Sequence, residues 1–286
     1  MQNPNRLIKA ASYASVLTAI TLLCAKIFAW SISDSTSVLS SLLDSLMDIV
    51  ASLVNFYAIR YALMPADDDH PFGHSKAEGI AALIQSAFIL GSSVLLLLQV
   101  GERLVNPKAI TAVSESVGVM VFSILLTTAL VLFQRYVSKK TRSLAVEADA
   151  AHYYGDILTG AAVIVALLVA DRGWYWMDPL IALVIAVVLI YSVFSIARSA
   201  LAVLMDEALS PEDEEKIKTL ARAHTQVQGV HDLLTRRSGR ITFIQLHLEL
   251  NGEQSLTDAH RITKQVENSI RAVYSDAQII IHQDPV

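Results

Sequence analysis

Two short stretches place acidic groups and an imidazole one helical turn apart within apolar sequence. SLLDSLMDIVAS carries Asp44 and Asp48 four residues apart, and EADAAHYYGD carries His152 and Asp156 at the same interval. On a helix that interval puts both members of a pair on one face. A charged side chain near the bilayer centre costs about 2.5–3.5 kcal/mol on insertion scales, and no Lys or Arg at matching depth offsets all three carboxylates. Packed together, the two faces would offer three carboxylates and one imidazole. That is enough for a four-coordinate cation site, and zinc accepts both donor types tetrahedrally. The competing reading makes these groups hydrogen-bonding partners in helix packing or at a wet interface, which two such pairs in separate segments make hard to sustain.

Other clusters are less sharply defined. In PADDDHPFGHSKAE, Asp67, His70 and His74 form either a metal cluster or part of a solvated acidic loop. Beyond Met205 stand His231, His247, His260, His282 and Asp284, each an ordinary surface residue by itself and suggestive as a set. Glu147 and Asp149 read as solvated groups at the start of their segment. Asp149 lies seven residues before Asp156 on roughly the same face, so a place along an entry path stays open. The single Cys24 excludes an intramolecular disulfide and a cysteine-based metal site. There is no HExxH pair and no separate nucleophile or base, so an intramembrane metallohydrolase finds no support.

The elements that must position these groups are membrane helices. The 286 residues are 53% hydrophobic, with a mean hydropathy of +0.48, well above an ordinary soluble domain. Six apolar segments are long enough to cross a bilayer as helices, near Ala10–Ser31, Val38–Leu63, Ala77–Val100, Val113–Val137, Ala145–Ala170 and Trp176–Ala200. The first is too long, and lacks the small-residue pattern, to be a cleavable signal peptide. Trp30, Trp174 and Trp176 fall near segment ends, where an aromatic belt would place them, and Lys26 is positioned to snorkel. Arg6, Lys9, Arg60, Lys76, Arg135, Lys139, Lys140 and Arg142 lie on one side. The other side has only Arg103, Lys108 and Arg172, so both termini are expected in the cytoplasm. A net charge of −5 gives no nucleic-acid signal.

Residues 1–205 therefore read as a six-helix, all-α transmembrane bundle, and residues 206–286 as a small cytosolic α+β domain of order αββαβ. Ser210-Pro211 opens an acid-rich helix. Strands follow around Val230–Arg236 and in RITFIQLHLEL, where Thr242, Ile244, Leu246, Leu248 and Leu250 form one face and Phe243, Gln245, His247 and Glu249 the other. Ser255 to Asp258 resembles a capping box, and Ile262, Val266, Ile270 and Val273 give the next helix an apolar stripe. Gln278–His282 reads as a final strand.

The phrases SLLDSLMDIVASLVNF, RYALMPADDDHPFGHSKAE, EADAAHYYGD, FIQLHLEL and IIIHQDP resemble the cation diffusion facilitator family, over nearly the whole chain. The resemblance implies a metallochaperone-like C-terminal domain and a membrane transport site of Asp44, Asp48, His152 and Asp156. It implies a loop site of Asp67, His70 and His74. It also implies a binuclear site at a dimer interface, with His231, His247, His282 and Asp284, His260 beside them and the backbone near Gln283. A salt bridge at the membrane–cytosol junction maps to Lys76 and Asp206. Seven of the eight histidines fall on family metal positions, and Ser75 stands where relatives often carry Gly.

The function so implied is that of a homodimeric, proton-coupled antiporter of the bacterial inner membrane, exporting divalent transition metals. Zn2+ is expected first, as substrate and regulator, with Cd2+ or Fe2+ as alternatives, and with no organic cofactor and no catalysis. The chemistry of the residues agrees. Metal binding needs neutral imidazole and ionised carboxylates, so protons and metal compete for one site. An imidazole ligand disfavours magnesium and calcium, and the lack of sulfur ligands disfavours copper(I). The alternative is a membrane metal sensor without transport.

Overall fold

The computed structural model describes residues 4–33, 36–105, 114–170 and 177–286. Lys108, Arg172, Trp174 and Trp176 lie outside the described residues. The chain divides into two compact units, Met1–Leu201 and Ala202–Val286.

The first unit is built from six long helices: α1 (Pro4–Ser33), α2 (Thr36–Ala62), α3 (Ala77–Val105), α4 (Ser114–Thr141), α5 (Leu144–Ala170) and α6 (Met177–Leu204). At about 1.5 Å per residue they exceed the roughly 30 Å of a hydrocarbon core. They also run past several expected ends: α1 starts six residues earlier, and α4 continues through Lys139 and Lys140. Apolarity marks only the lipid-embedded length, whereas backbone hydrogen bonding carries a helix on into water. Four of the described helices, α1, α3, α4 and α6, are long and apolar enough to cross a membrane. The other two, α2 and α5, are of matching length and carry the paired polar residues.

Helix α1 packs on α2 and α4, α2 on α3, and α5 on α3 and α4. Ile185, Leu189 and Val193 of α6 bury themselves against Ile89 of α3 and Ala148 of α5. The outward faces expose Leu17, Phe28, Leu98, Leu125, Leu132, Tyr191 and Phe194, as a bundle solvated by lipid would.

The second unit has the order α7 (Pro211–Arg222), β1 (Gly229–Ser238), β2 (Ile241–Leu250), α8 (Leu256–Val273) and β3 (Ala277–Pro285). Ser210 caps α7, with Pro211 in the first turn, and Ser255 caps α8 by accepting from the Asp258 N–H. The sheet runs β1-β2-β3. β1 and β2 form an antiparallel hairpin turned at Gly239 (φ 57°), and β3 joins β2 in parallel, with α8 as the crossover. The core is the expected face of β2 packed on Ile217 of α7 and Ile262, Val266 and Ile270 of α8.

Val273 departs from the expected stripe and is exposed, because it lies in the last turn of α8. Partly buried Tyr274 packs against the core there, and its hydroxyl donates to Asp213 Oδ1 at 2.8 Å, which ties the two helices together. The hydrogen bond from Tyr274 holds Asp213 below the usual carboxylate range, while burial, together with Asp213, pushes Tyr274 up to about 12.

Candidate functional site

In the helical unit, α2 and α5 cross in opposite senses. As the chain advances along α2 from Asp48 to Ser52 to Asn55, its partners on α5 step back from His152 and Tyr153 to Asp149. His152 Nε2 meets Asp48 Oδ1 at 3.2 Å, with the imidazole 8% and the carboxylate 16% exposed. Asp48, His152 and Asp156 each offer a ligand atom within 4.8 Å of the others. Asp44 is exposed one turn along α2 and stands outside this trio. The four-residue spacing thus produces a three-ligand nest, with a fourth carboxylate on the same helix face.

One neighbour differs from expectation. Lys26 stands seven residues before the end of α1 at Ser33, close to its expected place. Asp149, however, is not a solvated group, being 1% exposed. Its Oδ1 accepts from Gln85 Nε2 of α3 at 3.4 Å and its Oδ2 from Gln134 Nε2 of α4 at 2.6 Å. Beside it, Ser15 of α1, Ser52 of α2 and Tyr153 of α5 bond one another at 2.7–3.1 Å. Buried polar groups need partners, and here five helices supply most of them, while the Asn55 Oδ1 and Gln134 Oε1 oxygens make no hydrogen bond among the described residues. No single helix's sequence reveals this junction.

In the loop between α2 and α3, Asp67 Oδ1 accepts from the His70 backbone N–H at 2.7 Å and lies 3.1 Å from His70 Nδ1. Its other oxygen lies 3.3 Å from His74 Nε2. Gly73, at φ 81°, supplies the left-handed residue that folds the two histidines onto one carboxylate. Desolvation works to raise the Asp67 carboxyl, but the backbone N–H and ring of His70, with His74, outweigh it and hold Asp67 below the ordinary carboxylate range. His74 Nδ1 donates to the Pro65 carbonyl at 3.1 Å. In a neutral ring this leaves a lone pair on Nε2 facing a carboxylate, a conflict that a proton or cation resolves.

The C-terminal unit assembles its cluster by strand register. His231 pairs with His247 across β1–β2, and His247 with His282 across β2–β3, so three imidazoles form a row on the outer face. Asp284, two residues after His282, is the hub. It lies 3.2 Å from His231 Nε2, 2.8 Å from His247 Nδ1 and 3.3 Å from His282 Nε2. The hydrogen bond from His247, then the charges of His247, His282 and His231, outweigh desolvation and hold Asp284 below the ordinary range. His247, His282 and Asp284 form one ligand group, and His231, Asp232 and His247 another. His260 is exposed on α8 and belongs to neither. Asp206, which follows α6 in a left-handed conformation, pairs with Arg236 at 3.0 Å.

Two residues that the sequence did not single out join this face. Glu249 lies 3.7 Å from His231, and its carboxylate occupies the space that a side chain at Gly229 would fill. Asp232 lies 3.2 Å from His231 Nδ1. The alternation of β2 places Glu249 on the face of His247, without assigning it to the cluster.

Comparison with known proteins agrees with this architecture. Residues 12–205 match the cation efflux transmembrane domain, and residues 209–286 match the cytoplasmic domain of cation efflux proteins. The "Cation-efflux pump FieF" of Shewanella oneidensis is 47% identical over 279 residues, which are 98% of this chain and 94% of that one. The FieF of Klebsiella pneumoniae subsp. pneumoniae is 44% identical over 284 residues, 99% of this chain and 95% of that one. A solved structure described as a putative zinc transporter CzrB in its zinc form is 33% identical, covering 28% of this chain and 92% of that one, with a TM-score of 0.26. With a helical bundle that spans a membrane several times, a small cytoplasmic α+β domain and matches to both of their models, the chain belongs to the cation efflux family of transporters.

Proposed function

We propose that the protein exports a divalent transition-metal cation from the cytoplasm in exchange for protons, working as a homodimer in the bacterial inner membrane with both termini cytoplasmic. The observation that carries this reading is the Asp48–His152–Asp156 nest, formed near the middle of α2 and faced by α5. Asp44 would complete a four-ligand set when a cation draws it in. Each of these groups can hold either a proton or a share of the metal, so loading one occupant expels the other. The oxygen and imidazole donors suit Zn2+ first, with Cd2+ and Fe2+ as alternatives.

The loop cluster of Asp67, His70 and His74 would bind the same ion as regulator or relay, and the cytoplasmic cluster of His231, His247, His282 and Asp284, to which the family resemblance adds His260 and the Gln283 backbone, would bind it as regulator. A Lys76–Asp206 salt bridge would fasten the transmembrane and cytoplasmic parts. The dimer would form through the cytoplasmic domain.

The test is Zn2+ flux into sealed proteoliposomes under an imposed pH gradient. Flux should follow the gradient and fall to background in Asp156→Asn. Binding and a change of shape without flux would replace transport with sensing. Gradient-driven flux that persists in Asp156→Asn would remove the nest from the pathway.

A further inference from the structure

The start of β1 breaks the rule of strand alternation. His231 pairs with His247 and Leu234 with Gln245, so Asp232 and Leu233 together stand opposite Leu246. This is a β-bulge, and Asp232 sits in it at φ 46°, in the left-handed region. In a regular strand Asp232 would point away from His231, towards the core. The bulge instead turns its carboxylate outward, 72% exposed, onto the face that carries His231. Asp and Asn are among the few non-glycine residues that take this conformation readily.

The result sets a carboxylate against each nitrogen of the His231 ring. Asp232 Oδ2 lies 3.2 Å from His231 Nδ1, and the opposite nitrogen of the same ring, Nε2, lies 3.2 Å from Asp284 Oδ2 at the hub of the cluster. A histidine that binds metal through one nitrogen characteristically donates the N–H of the other to a carboxylate, which fixes its tautomer and raises its basicity. We propose that Asp232 is a positioning residue of the cytoplasmic cluster: it accepts the Nδ1 proton of His231 and thereby aims the Nε2 lone pair at a divalent cation shared with His247 and Asp284. This rests on the reading of that cluster as a metal site given above.

The test uses the full-length protein with Asp48→Ala and His74→Ala, so that Zn2+ calorimetry reads the cytoplasmic cluster. His247→Ala is the control for the cluster, and its tight binding should be lost. Asp232→Gly keeps the left-handed backbone free of strain and removes the acceptor, so Zn2+ affinity should fall about 10–100-fold with the melting temperature of the metal-free protein unchanged or raised. Asp232→Asn, whose amide oxygen still accepts from Nδ1, should lose less.

A residue that served only the bulge would give the reverse order, with Gly the mildest change. Undiminished affinity in Asp232→Gly, complete loss of binding as for a direct ligand, or losses that merely track a lowered melting temperature would overturn the proposal. Unchanged binding in His247→Ala would instead overturn the cluster as a metal site, and the role of Asp232 with it.

Discussion

The nest between α2 and α5 and the cluster on the cytoplasmic sheet use the same two functional groups and build them in opposite ways. In the membrane, two rods supply the nest, Asp48 from α2 and His152 with Asp156 at one-turn spacing from α5, and its central pair is largely enclosed, with His152 8% and Asp48 16% exposed. On the sheet, three strands each supply one imidazole through their register, and the rings stay open to water, with His231 41%, His247 26% and His282 64% exposed. An enclosed site must shed the water of its ion and can open to one side at a time. An open site equilibrates freely with the cytoplasm. The first arrangement suits carriage and the second suits sensing.

The contrast is broken most directly by crossing the two sites. Asp48→Ala should abolish flux and leave Zn2+ binding at the cytoplasmic cluster intact. His247→Ala should weaken that binding at least tenfold, about 1.4 kcal/mol, and leave some flux. Equal loss of flux in both variants would mean that the two sites act as one. A smaller effect is expected from the polar junction that walls the membrane nest. Asp149→Ala would strand the Gln85 and Gln134 amides and cost about 1–3 kcal/mol, seen as a lower melting temperature, and Asp149→Asn should cost less.

Acid should sharpen the comparison at the sheet. The Asp284 carboxyl is held below its ordinary 3.8. Its stabilising contribution is therefore present above that value and lost as the pH falls through the depressed one. Acid unfolding of the metal-free protein followed by circular dichroism should show a step that Asp284→Asn lacks. The smallest effect is Ser255→Ala, which removes the α8 cap for about 1 kcal/mol. It should soften the cytoplasmic domain and leave transport at saturating metal unchanged.

Periodicity made much of this legible. The one-turn pairs of α2 and α5 and the alternation of β2 are local signals, and they led to the nest and to the buried face of the sheet. What escaped depends on partners distant in sequence. The burial of Asp149 needs Gln85 and Gln134 from two other helices. The outward turn of Asp232 comes from a register shift, which strict alternation hides.

The parallel pairing of β2 with β3 sets His247 beside His282 by the same register that sends Ile279 and Ile281 towards the core. A slip of one residue would turn Ile279 and Ile281 out and His282 and Asp284 in, so the folding of the domain proofreads its own chemistry. Any copy that reaches its native state arrives with the histidine row aligned. Substitutions that retune the cluster are thereby confined to the identity of side chains on the outer face, and the spacing between ligands is inherited from the core.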